Sequence, residues 1–148
     1  VSRGCAFSPR ITQHQIADHT QVTLIEPPCG SNTAILQNGN ETLFIDCGPP
    51  PPPQEMQAIL RKLLPDWDDM RKRIFITHAD VDHCGLLSLF DEIFASEKSK
   101  ECLTLEYEGM NGFREQNPMH RPYINICKTL TRYVPPEPGK VHALWEMS

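Results

Sequence analysis

Six positions between two apolar runs constrain this chain more than any other stretch of its sequence. The segment FITHADVDHCGLL, residues 75–87, contains four side chains that can bind a metal: His78, Asp80, Asp82 and His83. Imidazoles and carboxylates are ordinary ligands of zinc, manganese and iron. Aspartates at these positions could instead cap a following helix, since aspartate is common at helix starts. Because a structural loop needs no such set, we interpret the four residues together as a metal-binding loop.

The segment before this loop has the pattern of β-strands. Residues 11–16 and 21–26 suit short strands, and residues 33–46 suit a hairpin that turns at Asn38-Gly39-Asn40. Asparagine and glycine both tolerate positive φ, which tight hairpin turns require. RIFIT, residues 73–77, is a further β-branched and aromatic run that leads directly into the loop.

Two stretches have the apolar spacing of an amphipathic helix. The first precedes the loop and contains Met56, Ile59, Leu60 and Leu63. The second predicts a helix from Gly85 onward, with one face formed by Leu86, Leu89, Phe90, Ile93 and Phe94. Between them, Trp67 lies among aspartates, which suits a surface position or the mouth of a substrate site. The order strand, helix, strand, loop, helix predicts an α/β fold (α+β in some schemes), with a βαβα core over residues 11–95.

The remaining segment, residues 96–148, predicts a helical insertion or lid on a single domain of residues 1–148. Residues 97–109 and 121–136 each suit a helix, and residues 140–146 could start another strand. Four aromatic residues of this segment could cover the site or belong to the core: Tyr107, Phe113, Tyr123 and Tyr133.

Composition narrows the classes of partner. The formal net charge of −5 opposes binding to nucleic acid, because it repels a polyanion. No apolar run approaches the ~20 residues that a membrane-spanning helix needs. The six cysteines (5, 29, 47, 84, 102 and 127) have no CxxC spacing, and no leader pattern is visible. We therefore expect free thiols and a cytoplasmic protein.

Two motifs in order resemble the metallo-β-lactamase superfamily. THADVDHCGLL, residues 77–87, is similar to its metal-binding loop, whose pattern is H-x-H-x-D-H. SNTAILQNGNETLFIDCG, residues 31–48, resembles the hairpin that precedes that loop and ends in Asp-x-Gly. The resemblance covers residues 11–95. It implies the N-terminal half of an αββα sandwich, a mixed sheet with flanking helices followed by a helical C-terminal segment.

The resemblance also implies roles for particular residues. His78 would be a ligand of a first metal, with Asp80 standing where the family usually has a second histidine. Asp82 and His83 would be ligands of a second metal, with Asp82 also orienting the nucleophilic water, and Asp46 would support the loop. The implied cofactor is a pair of divalent ions, usually zinc. The extra carboxylate of Asp80 shifts the preference toward iron or manganese.

The implied activity is that of a metal-dependent hydrolase acting on a small molecule. In that reaction a metal-bound hydroxide attacks an ester, thioester, lactam or phosphodiester. Two alternatives stay open: an iron-binding redox module similar to the flavodiiron proteins, which carry a glutamate at the position of Asp80, or a non-catalytic binding or scaffold protein with a degenerate metal site.

The family takes its remaining ligands from well downstream of the loop, where this chain offers only His120 and His142. His120 suits the surface and His142 suits a strand. We therefore expect this chain alone to bind metal weakly and to catalyse little. We also expect an uncovered apolar sheet face, which would favour self-association or pairing with a C-terminal half.

Overall fold

A computed structural model describes residues 8–28, 31–48 and 53–146, and these residues form a mixed seven-stranded sheet flanked by helices. The strands lie side by side in sequence order. Cys5, Cys29 and most of the proline run, residues 49–52, lie outside the described residues. The α/β fold class predicted from the sequence is confirmed.

The first half of the sheet is an antiparallel meander. It consists of β1 (Arg10–Ala17), β2 (Thr20–Glu26), β3 (Thr33–Asn38) and β4 (Glu41–Ile45). Asn38 pairs with Glu41, so the β3–β4 turn contains only two residues. The first of them, Gly39, has φ +58°, which is the conformation that makes glycine favourable in a two-residue hairpin turn. The predicted strands and hairpin are confirmed.

The second half of the sheet is parallel. Helix α1 (Pro53–Leu63) connects β4 to β5 (Arg73–Phe75), and β6 (Glu92–Ala95) and β7 (Val141–Ala143) follow in parallel. Helix α2 (Val81–Cys84) and a 3₁₀ turn (Leu87–Leu89) lie between β5 and β6. Helices α3 (Glu97–Tyr107) and α4 (Arg121–Thr131) lie between β6 and β7. Two further 3₁₀ turns, Pro138–Lys140 and Leu144–Glu146, flank β7.

The prediction of a helix from Gly85 onward is wrong. Leu87–Leu89 form a 3₁₀ turn flanked by Leu86 and Phe90, and Ile93, Phe94 and Ala95 belong to β6, where all three are buried. A short strand that is buried on both sides has a continuous apolar run, and apolar periodicity alone does not separate such a run from a buried helix. Parallel pairing with β5 decides between them, because Ile93 lies beside Ile74 and Phe94 beside Phe75.

One face of the sheet carries the hydrophobic core. Its fully buried residues are Ile25, Ile35, Phe44, Ile74, Ile93 and Val141, and they belong to one cluster with Met56 and Leu60 of α1. Trp67 is 1% exposed, so the surface position predicted for it is wrong. Its ring contacts Phe44 and Phe90 edge to face, with centroids 5.7 and 6.2 Å apart. Such aromatic contacts outweigh the polarity of its neighbours in the sequence.

The opposite face of the sheet is only partly covered. The alternating residues on this side are apolar and half-buried, and they include Leu24, Leu36, Leu43, Ile45 and Phe75.

Among the described residues, no helix is long and apolar enough to cross a membrane.

Candidate metal centre

The predicted metal loop begins where β5 ends. Asp46 directly follows the neighbouring strand β4, and its backbone N–H donates to the carbonyl of Phe75 at 2.9 Å. The backbone N–H of Ile76 donates to Phe94 of β6 at 3.0 Å. The carboxyl ends of three parallel strands therefore meet at one edge of the sheet, which is where α/β folds usually bind ligands.

Asp46 connects the two ends of the loop. One carboxylate oxygen, Oδ1, accepts the backbone N–H of Thr77 at 2.8 Å. The other oxygen, Oδ2, accepts the Thr77 hydroxyl at 2.7 Å and contacts Nδ1 of His83 at 2.9 Å. The Asp46 side chain is 9% exposed, so these bonds are shielded from water. A single buried carboxylate thus fixes the start of the loop and helix α2.

These hydrogen bonds determine which nitrogen of each histidine faces the site. A carboxylate only accepts, so Nδ1 of His83 donates to Asp46, and Nε2 is the ring nitrogen on the side of Ser31 and Asp82. The Thr77 hydroxyl donates its single proton to Asp46, so it accepts from Nδ1 of His78 at 3.0 Å. Metal-binding histidines usually donate their other ring N–H to a carboxylate, carbonyl or water. Asp46 therefore orients the His83 ring directly and the His78 ring through Thr77, so that Nε2 of each is the nitrogen that a metal can bind.

Three of the four predicted ligands lie together. His78, Asp82 and His83 each offer one ligand atom, and these atoms all lie within 4.8 Å of one another. The two imidazole rings have centroids 3.9 Å apart. Oδ2 of Asp82 lies 3.6 Å from Nε2 of His83. Two imidazoles and one carboxylate form a donor set that suits a divalent ion with an open coordination position. His78, Asp82 and His83 therefore fit a divalent metal ion.

Asp80 is placed differently. Its carboxylate forms an ion pair with Arg114, which lies in the loop between α3 and α4. Its Oδ2 also lies 3.4 Å from Nε2 of His78. Asp80 occupies the N-cap position of α2 but makes no side-chain capping bond there. Capping therefore does not account for this aspartate.

Ser31 is a contact residue that the sequence did not indicate. Its hydroxyl lies 2.8 Å from Nε2 of His83 and 3.4 Å from Oδ2 of Asp82. Gly48 permits this approach, because a Cβ on Gly48 would lie 2.8 Å from the carbonyl oxygen of Ser31. Gly48 belongs to the Asp-x-Gly motif. The contact of Ser31 spans more than fifty residues of sequence, and no local pattern signals it.

Two buried cysteines form hydrogen bonds with backbone carbonyls of the metal loop. The Cys84 thiol donates to the carbonyl of His78 at 3.3 Å, and the Cys47 backbone N–H donates to the carbonyl of His83 at 2.9 Å. Burial raises the pKa of the Cys47 thiol to about 12 and also raises the pKa of Cys84. Both thiols are therefore neutral at physiological pH, which suits packing and not nucleophilic chemistry.

A cavity of about 920 Å³ adjoins the centre. The metal loop forms one wall, and α3, α4 and the loop between them form the others. Glu106 and Glu115 line it with almost fully buried side chains, and both pair with Lys128. Burial raises the pKa of Glu106 above its ordinary value. The cavity connects the centre to a buried cluster of charges.

The sequence left open whether the aromatic residues of the C-terminal segment cover the site or belong to the core, and the structure shows both. Phe113 and Tyr123 line the cavity, whereas Tyr133 packs against the core. Tyr107 is half exposed. The two later histidines lie as the sequence predicted, His120 exposed before α4 and His142 on β7 with its ring 5.7 Å from that of Phe94.

The model of the metallo-β-lactamase superfamily matches residues 27–143. The chain therefore belongs to the metallo-β-lactamase superfamily. The match extends past residue 95, through α3 and α4 to β7, where the sequence offered no motif. No curated protein gave a significant match.

Solved structures of low sequence identity share the fold. A flavoprotein from Thermotoga maritima superposes with a TM-score of 0.52 at 19% identity, over 71% of this chain and 31% of its own. A histidine-to-aspartate mutant of a flavo di-iron protein from that organism gives 0.51 at 19% identity, over 70% and 31%. The corresponding histidine-to-asparagine mutant gives 0.51 at 20%, over 71% and 32%. The chain thus spans about a third of the length of these proteins.

Proposed function

We propose that the chain carries the divalent-metal centre of a metal-dependent hydrolase, with His78, Asp82 and His83 as ligands. The observation that supports this proposal best is the set of hydrogen bonds that join Asp46 and Thr77 to Nδ1 of both histidines, which leaves Nε2 as the ring nitrogen that a metal can bind. The substrate is proposed to be a small molecule with an ester, thioester, lactam or phosphodiester bond. The adjoining cavity has the size of ordinary small-molecule sites.

His78, Asp82 and His83 would hold a divalent ion here, and the chemistry it would supply is a lowered pKa of water and polarisation of the bond under attack. The residues of the chain supply the rest. Asp82 is half exposed beside the cavity, so its carboxylate can orient a water and accept its proton. Asp46 and Thr77 hold the imidazoles in place. The Ser31 hydroxyl contacts Nε2 of His83 and Oδ2 of Asp82, so a bound ion would replace it at His83. We propose that this chemistry takes place in the cytoplasm, since the described cysteines are free thiols.

Isothermal titration with Zn²⁺ tests the metal site. We expect binding to the wild type, and His83→Ala should weaken it by more than ~100-fold, because loss of a supporting partner alone costs about 10–100-fold. His120→Ala is the matched control, since His120 is exposed and outside the cluster. Equal affinity in the wild type and His83→Ala would contradict the ligand set. Absence of binding would favour the scaffold alternative.

Hydrolysis is tested on the zinc-loaded protein with chromogenic esters, thioesters, lactams and phosphodiesters. We expect Asp82→Asn to lower kcat by at least ~100-fold, as removal of a general base does. A substrate cleaved equally by the wild type and the variant would contradict the role of Asp82.

An iron-binding redox module is the second candidate. It is supported by the carboxylate of Asp80 near His78 and by the flavo di-iron proteins among the structural neighbours. The same titration with Fe²⁺ under anaerobic conditions distinguishes the two. Preference for Fe²⁺ over Zn²⁺, together with reversible oxidation of the bound iron, would favour the redox function over hydrolysis.

A further inference from the structure

The ion pair between Asp80 and Arg114 joins the metal loop to a distant part of the chain. The two residues are 34 positions apart, and Arg114 lies in the loop that forms one wall of the cavity. The Asp80 side chain is 24% exposed and that of Arg114 is 53% exposed, so the pair is open to solvent on the arginine side. Its role therefore rests on which carboxylate oxygen it contacts and not on the strength of the ion pair.

Arg114 contacts the carboxylate oxygen through which Asp80 could share a metal with His78. Its guanidinium contacts Oδ2 of Asp80, the same atom that lies 3.4 Å from Nε2 of His78. A metal shared by His78 and Asp80 would have to displace this contact. A guanidinium stays charged at every physiological pH, so the Asp80 carboxylate already has a permanent cation.

The charges of the centre balance with a single ion. Three carboxylates surround it, from Asp46, Asp80 and Asp82, and one divalent ion together with one guanidinium neutralises them. The other charged residues that line the cavity are two lysines and two glutamates, which compensate each other: Lys98, Lys128, Glu106 and Glu115. A second divalent ion would lie beside Arg114 with no carboxylate left to compensate it. That arrangement is unfavourable, because two cations so close together repel each other.

We infer that Arg114 is a permanent cation in place of a second metal, so that the centre binds one divalent ion through His78, Asp82 and His83. The inference rests on the proposed function, because it specifies the stoichiometry of the same centre. It differs from the pair of ions that the family resemblance implies. Arg114 is then a positioning residue, which keeps Oδ2 of Asp80 paired with its guanidinium and sets the number of ions.

Native mass spectrometry of the protein dialysed against Zn²⁺ counts the ions per chain. We expect one zinc on the wild type and two on Arg114→Met, which keeps an unbranched side chain but removes its charge. Arg114→Lys retains a cation and should stay at one. Lys98→Met is the matched control, since it removes a cation from the same cavity without touching Asp80, and it should also stay at one. Circular dichroism verifies that each variant is folded.

Two zinc ions on the wild type, or one on a folded Arg114→Met, would overturn the inference and leave the proposed metal site intact. If neither the wild type nor any variant binds zinc, both this inference and the proposed metal site are wrong. Asp80→Asn is an independent measurement, because it breaks the ion pair from the other side. We expect it to keep one zinc with an affinity within a few-fold of the wild type. Loss of that zinc would identify Asp80 as a ligand and overturn the inference.

Discussion

Asp46 adopts a left-handed backbone conformation, with φ +55°, directly at the end of β4. Residues other than glycine seldom adopt it, although aspartate tolerates it better than most. The conformation turns the carboxylate toward Thr77 and His83, where it makes three hydrogen bonds. Local backbone strain of about 1–3 kcal/mol is typical of functional sites and persists only where surrounding contacts maintain it. At this residue those contacts are the hydrogen bonds that orient the histidines.

Gly48 offers a test at the residue scale of how closely Ser31 approaches the centre. Both Gly48 and Gly39 have positive φ, but only Gly48 has a neighbour that a Cβ would meet, the Ser31 carbonyl oxygen at 2.8 Å. We expect Gly39→Ala to lower the free energy of unfolding by about 1–2 kcal/mol through its φ alone. Gly48→Ala should cost about 1–3 kcal/mol more, because the contact adds overpacking. Urea denaturation measures both, and equal losses would show that the backbone around Ser31 adapts freely.

Glu106 gives a second prediction at this scale, on pH dependence. Burial raises its pKa above the ordinary value of 4.5, and this outweighs the lowering by Lys128 and Tyr133, while Glu115 raises it further. The folded state therefore keeps this proton to higher pH than the unfolded state does. The contribution to stability is fully present below about pH 4.5 and is lost as the pH rises through the folded pKa.

We expect Glu106→Gln to remove this part of the decline in the free energy of unfolding above pH 4.5. Urea denaturation at a series of pH values measures it. Glu101→Gln, an exposed change on the same helix α3, is the control and should keep the slope of the wild type. An unchanged slope in Glu106→Gln would mean that Lys128 fully compensates the buried carboxylate.

At the scale of elements, the Thr77 side chain holds the loop between β5 and α2 in its metal-binding arrangement. Its hydroxyl connects Asp46 to Nδ1 of His78, and no other contact described for that ring nitrogen would fix its proton. We expect Thr77→Val to weaken Zn²⁺ binding by roughly 10-fold, as loss of a supporting hydrogen bond to a ligand does. Thr77→Ser keeps the hydroxyl and should bind as the wild type does. Isothermal titration distinguishes them, and identical affinities of all three proteins would exclude the relay through Thr77.

The elements also show where sequence patterns stop being informative. The β3–β4 hairpin and helix α1 are determined locally, by Gly39 and by the spacing of Met56 and Leu60, and both were predicted. The stretch after Gly85 was not. Its apolar residues fit a helix equally well, and pairing with β5 in parallel makes them a strand. A long-range partner decides the structure of such a short buried run.

At the scale of the whole molecule, the half-buried apolar sheet face is available for contact. The alternating residues on this side are only partly covered by the described part of the chain. We propose that the protein self-associates through this face, and sedimentation velocity should show a rise in mean mass with concentration. Leu24→Lys should abolish the rise. Ile126→Lys on the exposed side of α4 should not, and the opposite pattern would place the contact on α4.

The sequence by itself determined the local features of this protein. The order of ligand-type residues in the loop, the hairpin before it and the helix α1 all follow from short-range chemistry, namely side-chain type, turn conformation and periodicity. The position of Trp67 in the core, the strand β6, and the contacts of Ser31 and Arg114 depend on residues distant in the sequence. Only the tertiary structure decided these, because the energy of a buried contact depends on which partner arrives and not on the neighbours along the chain.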